Sequence, residues 1–319
     1  MADGKWISDL TATTPLADAA RRVLGIRLEV VHNCLDLALR EPDKDPEHVH
    51  QLRVSTRRAG AAVEIFAPCL SAKTYTSARK RLRRLRRAAG EARDWDVFLM
   101  GLASEKQKHK RHHRPGLDFV TGYALGQRVS AQAHLEEASP DYPFAFERLQ
   151  TETVAAVHKP RYDPGTRTLG DLAGPLLLGL VRDFDQAASG DLSDYGKLHR
   201  VRILGKRLRY AMEVFGDCFA QEFREELYTA VEEMQDILGR ANDSYVAGQR
   251  LQTMRDKVQV LVPHDWKRLK PGIEGWLKHH ERQLEEEREH FLDWWKRWQK
   301  SGGETAFRKL LTTLVPAAS

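Results

Sequence analysis

Apolar positions recur at helical spacing along almost the whole chain. From Leu16 to Leu39 the set Ala19, Ala20, Val23, Leu24, Leu28, Val31, Leu35 and Leu39 steps by three and four, which predicts a long amphipathic helix. The run Glu41 to Pro46 ends it, with Asp45 placed to cap a second helix that opens at Pro46 and reaches Pro68. A third helix is predicted from about Ser71 to Leu102 and a fourth from Leu117 to Ala138, with Gly122 and Gly126 as points of close packing. A Pro-rich junction from Pro140 to Pro164 holds one short helix, Phe144 to Val157. Further helices are predicted at Asp171 to Ala188, after a cap at Ser193 or Asp194, from Glu222 to about Arg255, and from Pro263 to Gln299. No segment shows a series of alternating strands, so the expected class is all-α.

The pattern repeats. His50 to Phe66 reads HQLRVSTRRAGAAVEIF, and His199 to Phe215, at an offset of 149 residues, reads HRVRILGKRLRYAMEVF. Without a gap, His50 meets His199, Arg53 meets Arg202, Arg57 meets Lys206, Arg58 meets Arg207 and Glu64 meets Glu213. The same offset pairs Cys69 with Cys218, Gly90 with Gly239, Asp94 with Asp243 and Val97 with Val246. It also pairs Leu24, Leu28, Val31 and Leu35 with Ala173, Leu177, Leu180 and Phe184. Apolar periodicity alone would not keep one register through several helices and turns, so the sequence reads as a duplicated unit. The expected organisation is a flexible N-terminus at 1–15, a first helical repeat at 16–158, a second at 165–300 and a tail at 301–319. Each repeat would hold four helices, giving two four-helix bundles about a pseudo-twofold axis.

Each repeat's central helix has a cationic front and an apolar back. On a wheel of about 100° per residue, Arg53 and Arg57 fall within about 60° of His50, and Arg58 lies about 80° round. Leu52, Ala59, Ala62, Val63 and Phe66 take the opposite side. In the second copy His199, Arg202, Lys206, Arg207 and Arg209 face Val201, Leu204, Leu208, Ala211, Met212 and Phe215 in the same way. Solvated helix faces are the ordinary alternative, but they mix signs, whereas these two are almost purely cationic at matching positions.

Charge is unevenly shared. The chain carries a formal net charge of +6, with a pI of about 9.2, which favours an anionic partner. Residues 50–97 hold twelve Lys and Arg against four Asp and Glu, while 199–246 hold seven against nine. The excess sits in Arg79–Arg87, whose counterparts include Glu232, Glu233 and Asp236. The first unit should therefore hold an anion more strongly.

The chemistry-bearing residues exclude more than they offer. Three Cys (Cys34, Cys69, Cys218) lack metal or C-x-x-C spacing and read as small buried apolar residues of a reducing compartment. His109, His112 and His113 in the basic connector 104–116 lack a paired Cys or carboxylate at ligand spacing, so no metal is expected. There is no Walker motif, no H-E-x-x-H and no nucleophile–base ordering, and no catalytic residues or cofactor are assigned. Asp94 and Asp243 stand alone and read as partners for an Arg. Trp266, Trp276, Trp294, Trp295 and Trp298 read as core. No leader sequence or apolar span is evident, so the expectation is a cytoplasmic protein with no membrane partner.

The pattern H-x-x-R-x-x-x-R-R (His50 to Arg58), followed by a basic helix ending G-x-x-R-D-x-x-V (Gly90, Arg93, Asp94, Val97), resembles the CHAD family, the conserved histidine α-helical domain. H-x-x-R-x-x-x-K-R-L-R-Y (His199 to Tyr210) and L-G-x-x-N-D (Leu238 to Asp243) are similar to that family's second half. The resemblance covers roughly 16–300. It implies two four-helix bundles and a cationic surface or channel that binds inorganic polyphosphate without catalysis. On that basis His50, Arg53, Arg57, Arg58, His199, Arg202, Lys206, Arg207 and Arg209 carry over as phosphate contacts, with Arg79, Arg83, Arg86, Arg87 and Arg93 beside them. Many relatives are fused to a triphosphate-tunnel hydrolase, and nothing in this sequence matches one. Targeting to polyphosphate granules is compatible with this reading. An RNA-binding or general polyanion-binding protein is the alternative, and it would interleave aromatic residues with the cations.

Overall fold

The computed structural model describes residues 5–42, 44–106, 111–158 and 167–311. Ten α-helices follow in order: α1 Leu16–Arg40, α2 Glu47–Ile65, α3 Ala72–Lys106, α4 Arg114–Glu137, α5 Phe144–Ala155, α6 Leu169–Ala188, α7 Tyr195–Phe215, α8 Thr229–Leu261, α9 Pro263–Lys300 and α10 Gly303–Leu311. A π-helical turn, Phe223–Tyr228, leads into α8. Pro15 and Thr168 form an isolated antiparallel bridge, Phe219 takes part in another bridge, and no strand occurs among the described residues. The fold is all-α.

Within the first unit α1 packs on α2, α2 on α3 and α3 on α4; α6 to α9 pack in the same sequence. Each unit also carries a short fifth helix. α5 lies on α1 and α3, which makes it part of the first unit rather than a free junction, and α10 lies on α6. Between the units the contacts join α2 with α7, α3 with α8, and α4 with α9, so each helix meets the one at the corresponding place. Residues 159–166 of the expected junction, and 107–110 of the basic connector with its His109, lie outside the described residues.

Burial follows the wheels. Leu52, Ala59, Ala62, Val63 and Phe66 are fully buried on α2, as are Val201, Leu208, Met212 and Phe215 on α7. Leu204 is only half-buried. Each of the fully buried Leu, Val, Met and Phe side chains stabilises the fold by about 1.5–3 kcal/mol. Asp45 Oδ1 accepts from the Glu47 N–H at 2.8 Å, and α2 opens one residue later than predicted. Asp194 caps α7 through the Gly196 N–H. Cys69 and Cys218 are buried thiols. Trp276, Trp294, Trp295 and Trp298 are buried, with Trp294 stacked on Trp298 at 5.3 Å.

Three expectations need correction. The segment at 5–15 is not loose. Ile7, Leu10 and Ala12 are buried, and their burial was masked in the sequence by the polar residues between them. The Leu169 and Gly170 N–H groups donate to the Thr14 and Ala12 carbonyls, so this strap ties the start of α1 to the start of α6. The tail is also partly folded: α10 buries Phe307 and Leu311, and Phe307 packs at 5.9 Å from Trp298. Residues 312–319 lie outside the described residues. Finally, Gly122 and Gly126 have open space where a Cβ would stand. The close helix crossing is made instead by Gly116 on α4 and Gly272 on α9. A Cβ on Gly116 would lie 2.2 Å from the Leu269 carbonyl oxygen, and one on Gly272 2.3 Å from that of His113.

One buried carboxylate links the two units. Glu213 of α7 has no exposed side-chain surface. It accepts from Arg58 Nε of α2 at 2.7 Å and from the Tyr228 hydroxyl at 3.0 Å. Arg27 of α1 lies 3.7 Å away and Arg209 3.8 Å away. Burial opposes the Arg58 cation, but Glu213 outweighs it and raises its pKa. The network continues through Tyr228 to Glu232 at 3.3 Å, and Lys5 of the N-terminal strap donates to Glu232 at 3.0 Å. Glu213→Ala would leave buried guanidinium groups without their carboxylate, which costs about 3–5 kcal/mol of stability. Its counterpart Glu64 is 40% exposed beside Arg79, and Glu64→Ala should cost under about 1 kcal/mol. Urea unfolding of the two variants checks this, and equal effects would contradict the anchoring role.

Candidate functional site

The front faces of α2 and α7 converge with α3 and α8 on one groove of about 800 Å³. From the first unit it is lined by Arg53 and Arg57 of α2 and by Arg79, Arg83, Arg86 and Arg87 of α3. From the second come His199, Arg202, Lys206 and Arg207 of α7, with Asn242, Val246 and Arg250 of α8. Ten Lys and Arg therefore face three carboxylates, Glu64, Glu91 and Asp94, so the groove is strongly cationic although the chain as a whole is only mildly so.

The groove has a buried end and an open rail. Arg53, Arg57, Arg202 and Lys206 are partly or fully withdrawn from solvent, whereas Arg79, Arg83, Arg86 and Arg87 are exposed along α3. That rail spans about 12 Å at the helical rise of about 1.5 Å per residue. Among the described residues, only two of the ten groove cations have a carboxylate at ion-pair distance. Arg53 Nη1 donates to Asp94 Oδ1 at 2.7 Å, and Arg79 lies 3.5 Å from Glu64. Asp94 thus does what its isolation suggested and holds an Arg in place. The buried donors Arg53 Nε, Arg202 Nε and Arg250 Nη1 find no acceptor in the protein.

Burial, reinforced by the neighbouring cations, shifts proton affinities. Burial pushes the Arg57 pKa down to about 10, with Arg53 and Arg202 adding to the effect and Tyr210 opposing it. Burial, then Arg57, Arg202 and Arg53, hold the Lys206 ammonium well below its usual range. Burial lowers Arg86, Arg202 and Arg250 as well. His199 is also lowered, by burial first and then by Arg202 and Lys206. Its Nδ1 stands 3.3 Å from the Tyr195 hydroxyl, which donates to Asn242 at 3.1 Å. Each shift disfavours the charged form, through burial first and neighbouring cations second, and a bound anion would oppose it.

Four residues carried over from the sequence do not line the groove. Arg58 is buried on Glu213. Its place on the wheel, turned toward the apolar back, already set it apart from Arg53 and Arg57. Arg209 is drawn toward the same carboxylate. His50 and Arg93 sit together outside the lining, where burial and then Arg93 lower the His50 pKa. Arg250 does line the groove and was missed. It falls beyond the last repeated position, and its guanidinium lies 3.8 Å over the Trp95 ring, so a basic residue above a buried aromatic was the signal available. The acidic counterparts of the rail point elsewhere: Glu232 takes Lys5, and Glu233 takes Arg297 at 2.9 Å.

No group of three or more His, Cys, Asp or Glu placed to hold a metal occurs among the described residues. No helix among them is long and apolar enough to cross a membrane.

Comparison with known proteins agrees with this architecture. The chain is similar to the crystal structure of the CHAD domain from the plant Ricinus communis, with a TM-score of 0.70 at 23% identity, covering 90% of this chain and 93% of that one. It is also similar to PptA from Streptomyces chartreusis, with a TM-score of 0.65 at 15% identity, covering 89% and 100%. No curated protein sequence matches. The profile of the CHAD domain matches residues 22–252, from α1 through most of α8 and across every element that lines the groove. This chain belongs to the CHAD domain family.

Proposed function

We propose that the groove binds inorganic polyphosphate, and that it does so without catalysis. The observation that carries this reading is the gathering of ten cations around one space, eight of them without a carboxylate partner among the described residues. A flexible polyanion with no bases suits such a surface, because it needs a track of charge-assisted donors rather than an apolar pocket. Arg supplies paired donors that match phosphate oxygens. The buried end would grip a few successive phosphates, and the exposed rail on α3 would carry the chain onward.

Two features favour polyphosphate over RNA. Among the described residues Tyr210 is the one Phe, Tyr or Trp lining the groove, and it is buried. It is also engaged, bonding to Arg57 and lying 5.4 Å beneath Arg209, so it offers no open face for a base to stack on. Of the three groove carboxylates, Asp94 is bonded to Arg53, Glu64 lies beside Arg79 and Glu91 stands 3.4 Å from His134, which supports a binding rather than a hydrolytic role. The matching cellular role is a cytoplasmic binder of polyphosphate, gathered at granules of the polymer.

Substitutions should separate binding from folding. Arg57→Ala removes one contact of about 1.5–3 kcal/mol, or roughly tenfold or more in affinity. Because it also relieves repulsion with Arg53 and Arg202, the free protein should melt at an equal or higher temperature. Arg58→Ala should do the reverse, lowering stability while changing affinity far less. Calorimetric titration with long-chain polyphosphate and thermal melts read both effects. Unchanged binding by Arg57→Ala would place the track elsewhere.

The pH dependence has a definite sign. His50 and His199 are held below the usual imidazole value of 6.5. As pH falls through 6.5 the unfolded chain takes up protons first, so the free protein should lose stability below that value. A bound polyanion favours the protonated forms of His199 and Lys206. Binding should therefore take up protons and tighten as pH falls from 8 to 6. Titration in buffers of different ionisation enthalpy measures the uptake, and His199→Gln should reduce it; affinity that weakens on acidification would contradict the reading.

A further inference from the structure

The hairpin between α8 and α9 ends in an apolar tip. Val260 and Leu261 are 77% and 75% exposed, and Val262 beside them is 37% exposed. They form three consecutive outward apolar residues before Pro263 opens α9. The tip lies beyond the polyanion groove: Arg250, the last groove residue on α8, is about 16 Å back along the helix axis. Trp266 is half-buried one turn into α9.

Cations flank this tip in the sequence. Lys257, Lys267 and Arg268 are exposed on the two helix ends that meet there, and Lys270, further along α9, lies 3.7 Å from Glu274. The turn Arg111–His113 packs on α9 with the His113 carbonyl against Gly272, so exposed Arg111 and Arg114 lie near the third turn of that helix, about 15 Å along it from Val262. Of the carboxylates in these two stretches, Asp256 accepts from Arg255 at 3.1 Å and Asp265 is exposed. From residue 255 to 274 five Lys and Arg therefore stand against three carboxylates, with Arg255 and Lys270 paired to Asp256 and Glu274 and with Lys257, Lys267 and Arg268 exposed beside the apolar tip.

We propose that this tip docks on the surface of an anionic lipid bilayer. Val260, Leu261 and Val262 enter the boundary between headgroups and acyl chains, while the flanking Lys and Arg side chains meet lipid phosphates and carboxylates. Charge complementarity selects an anionic surface. Shape selects a bilayer over a protein: a stable protein interface needs about 800 Å² on each side, which three side chains on a convex point do not supply, whereas a bilayer accepts a small protrusion. The contact is peripheral and requires no spanning helix.

The test is sedimentation of the full chain with vesicles of phosphatidylcholine alone and of phosphatidylcholine with phosphatidylserine. The groove is kept saturated with polyphosphate so that its cations cannot supply the binding. Binding is expected only to the phosphatidylserine vesicles. V260S/L261S, at positions already exposed, should weaken it at least tenfold with polyphosphate titration unchanged. K267E/R268E should weaken it with the apolar tip intact. Absence of binding to the phosphatidylserine vesicles, or full binding by V260S/L261S, would overturn the proposal. So would self-association in solution that V260S/L261S abolishes, because the tip would then belong to a contact between copies of the chain.

Discussion

Cations that face one another across a groove repel, and this fold holds them there against that repulsion. Arg53, Arg57, Arg202 and Lys206 come from two helices of different units, α2 and α7, yet converge on one space. Arg57, Arg202 and Lys206 hold their protons less tightly than usual, through burial first and then through the neighbouring cations. What opposes the repulsion is packing from behind. The apolar backs of both helices are buried, and Glu213 joins α1, α2 and α7 through Arg27 and Arg58. The front can remain under electrostatic strain because the back is anchored by a carboxylate that water does not reach.

The two halves contribute different things to this arrangement. The first unit supplies the exposed rail of α3, both supply the buried end, from α2 and α7, and the second adds Arg250. The carboxylates that replace rail cations in the second unit form pairs with Lys5 and Arg297 outside the groove, so their negative charge does not cancel the rail. The same asymmetry appears at Arg58 and Arg207. One turns inward to Glu213, while the other remains exposed in the groove. Equivalent positions in sequence therefore carry different work once one member of a carboxylate pair is buried and the other is not.

Much of this was legible in the sequence. Helical periodicity located the principal helices, and the common register brought the residues of α2 and α7 to one face. What the sequence hid were contacts between elements. Ile7 and Leu10 gave no periodic signal because they lie in an irregular strap whose burial depends on helices far along the chain. The sequence motif groups Arg58 with Arg57 despite its different place on the wheel, because local sequence does not reveal that Glu213 lies behind it. Gly122 and Gly126 suggested close packing by spacing, while Gly116 and Gly272 achieve it because two helices of different units cross there. Arg250 joined the groove through the direction of α8, outside the repeated motif.

The most direct test of the central claim is a calorimetric titration of the protein with long-chain polyphosphate, single-stranded RNA and single-stranded DNA of equal charge, at two salt concentrations. A groove shaped for densely spaced phosphate predicts tight binding of polyphosphate alone, weakening steeply with salt as counterions are released. Equal affinity for all three polymers would contradict it and would make the groove a general polyanion surface.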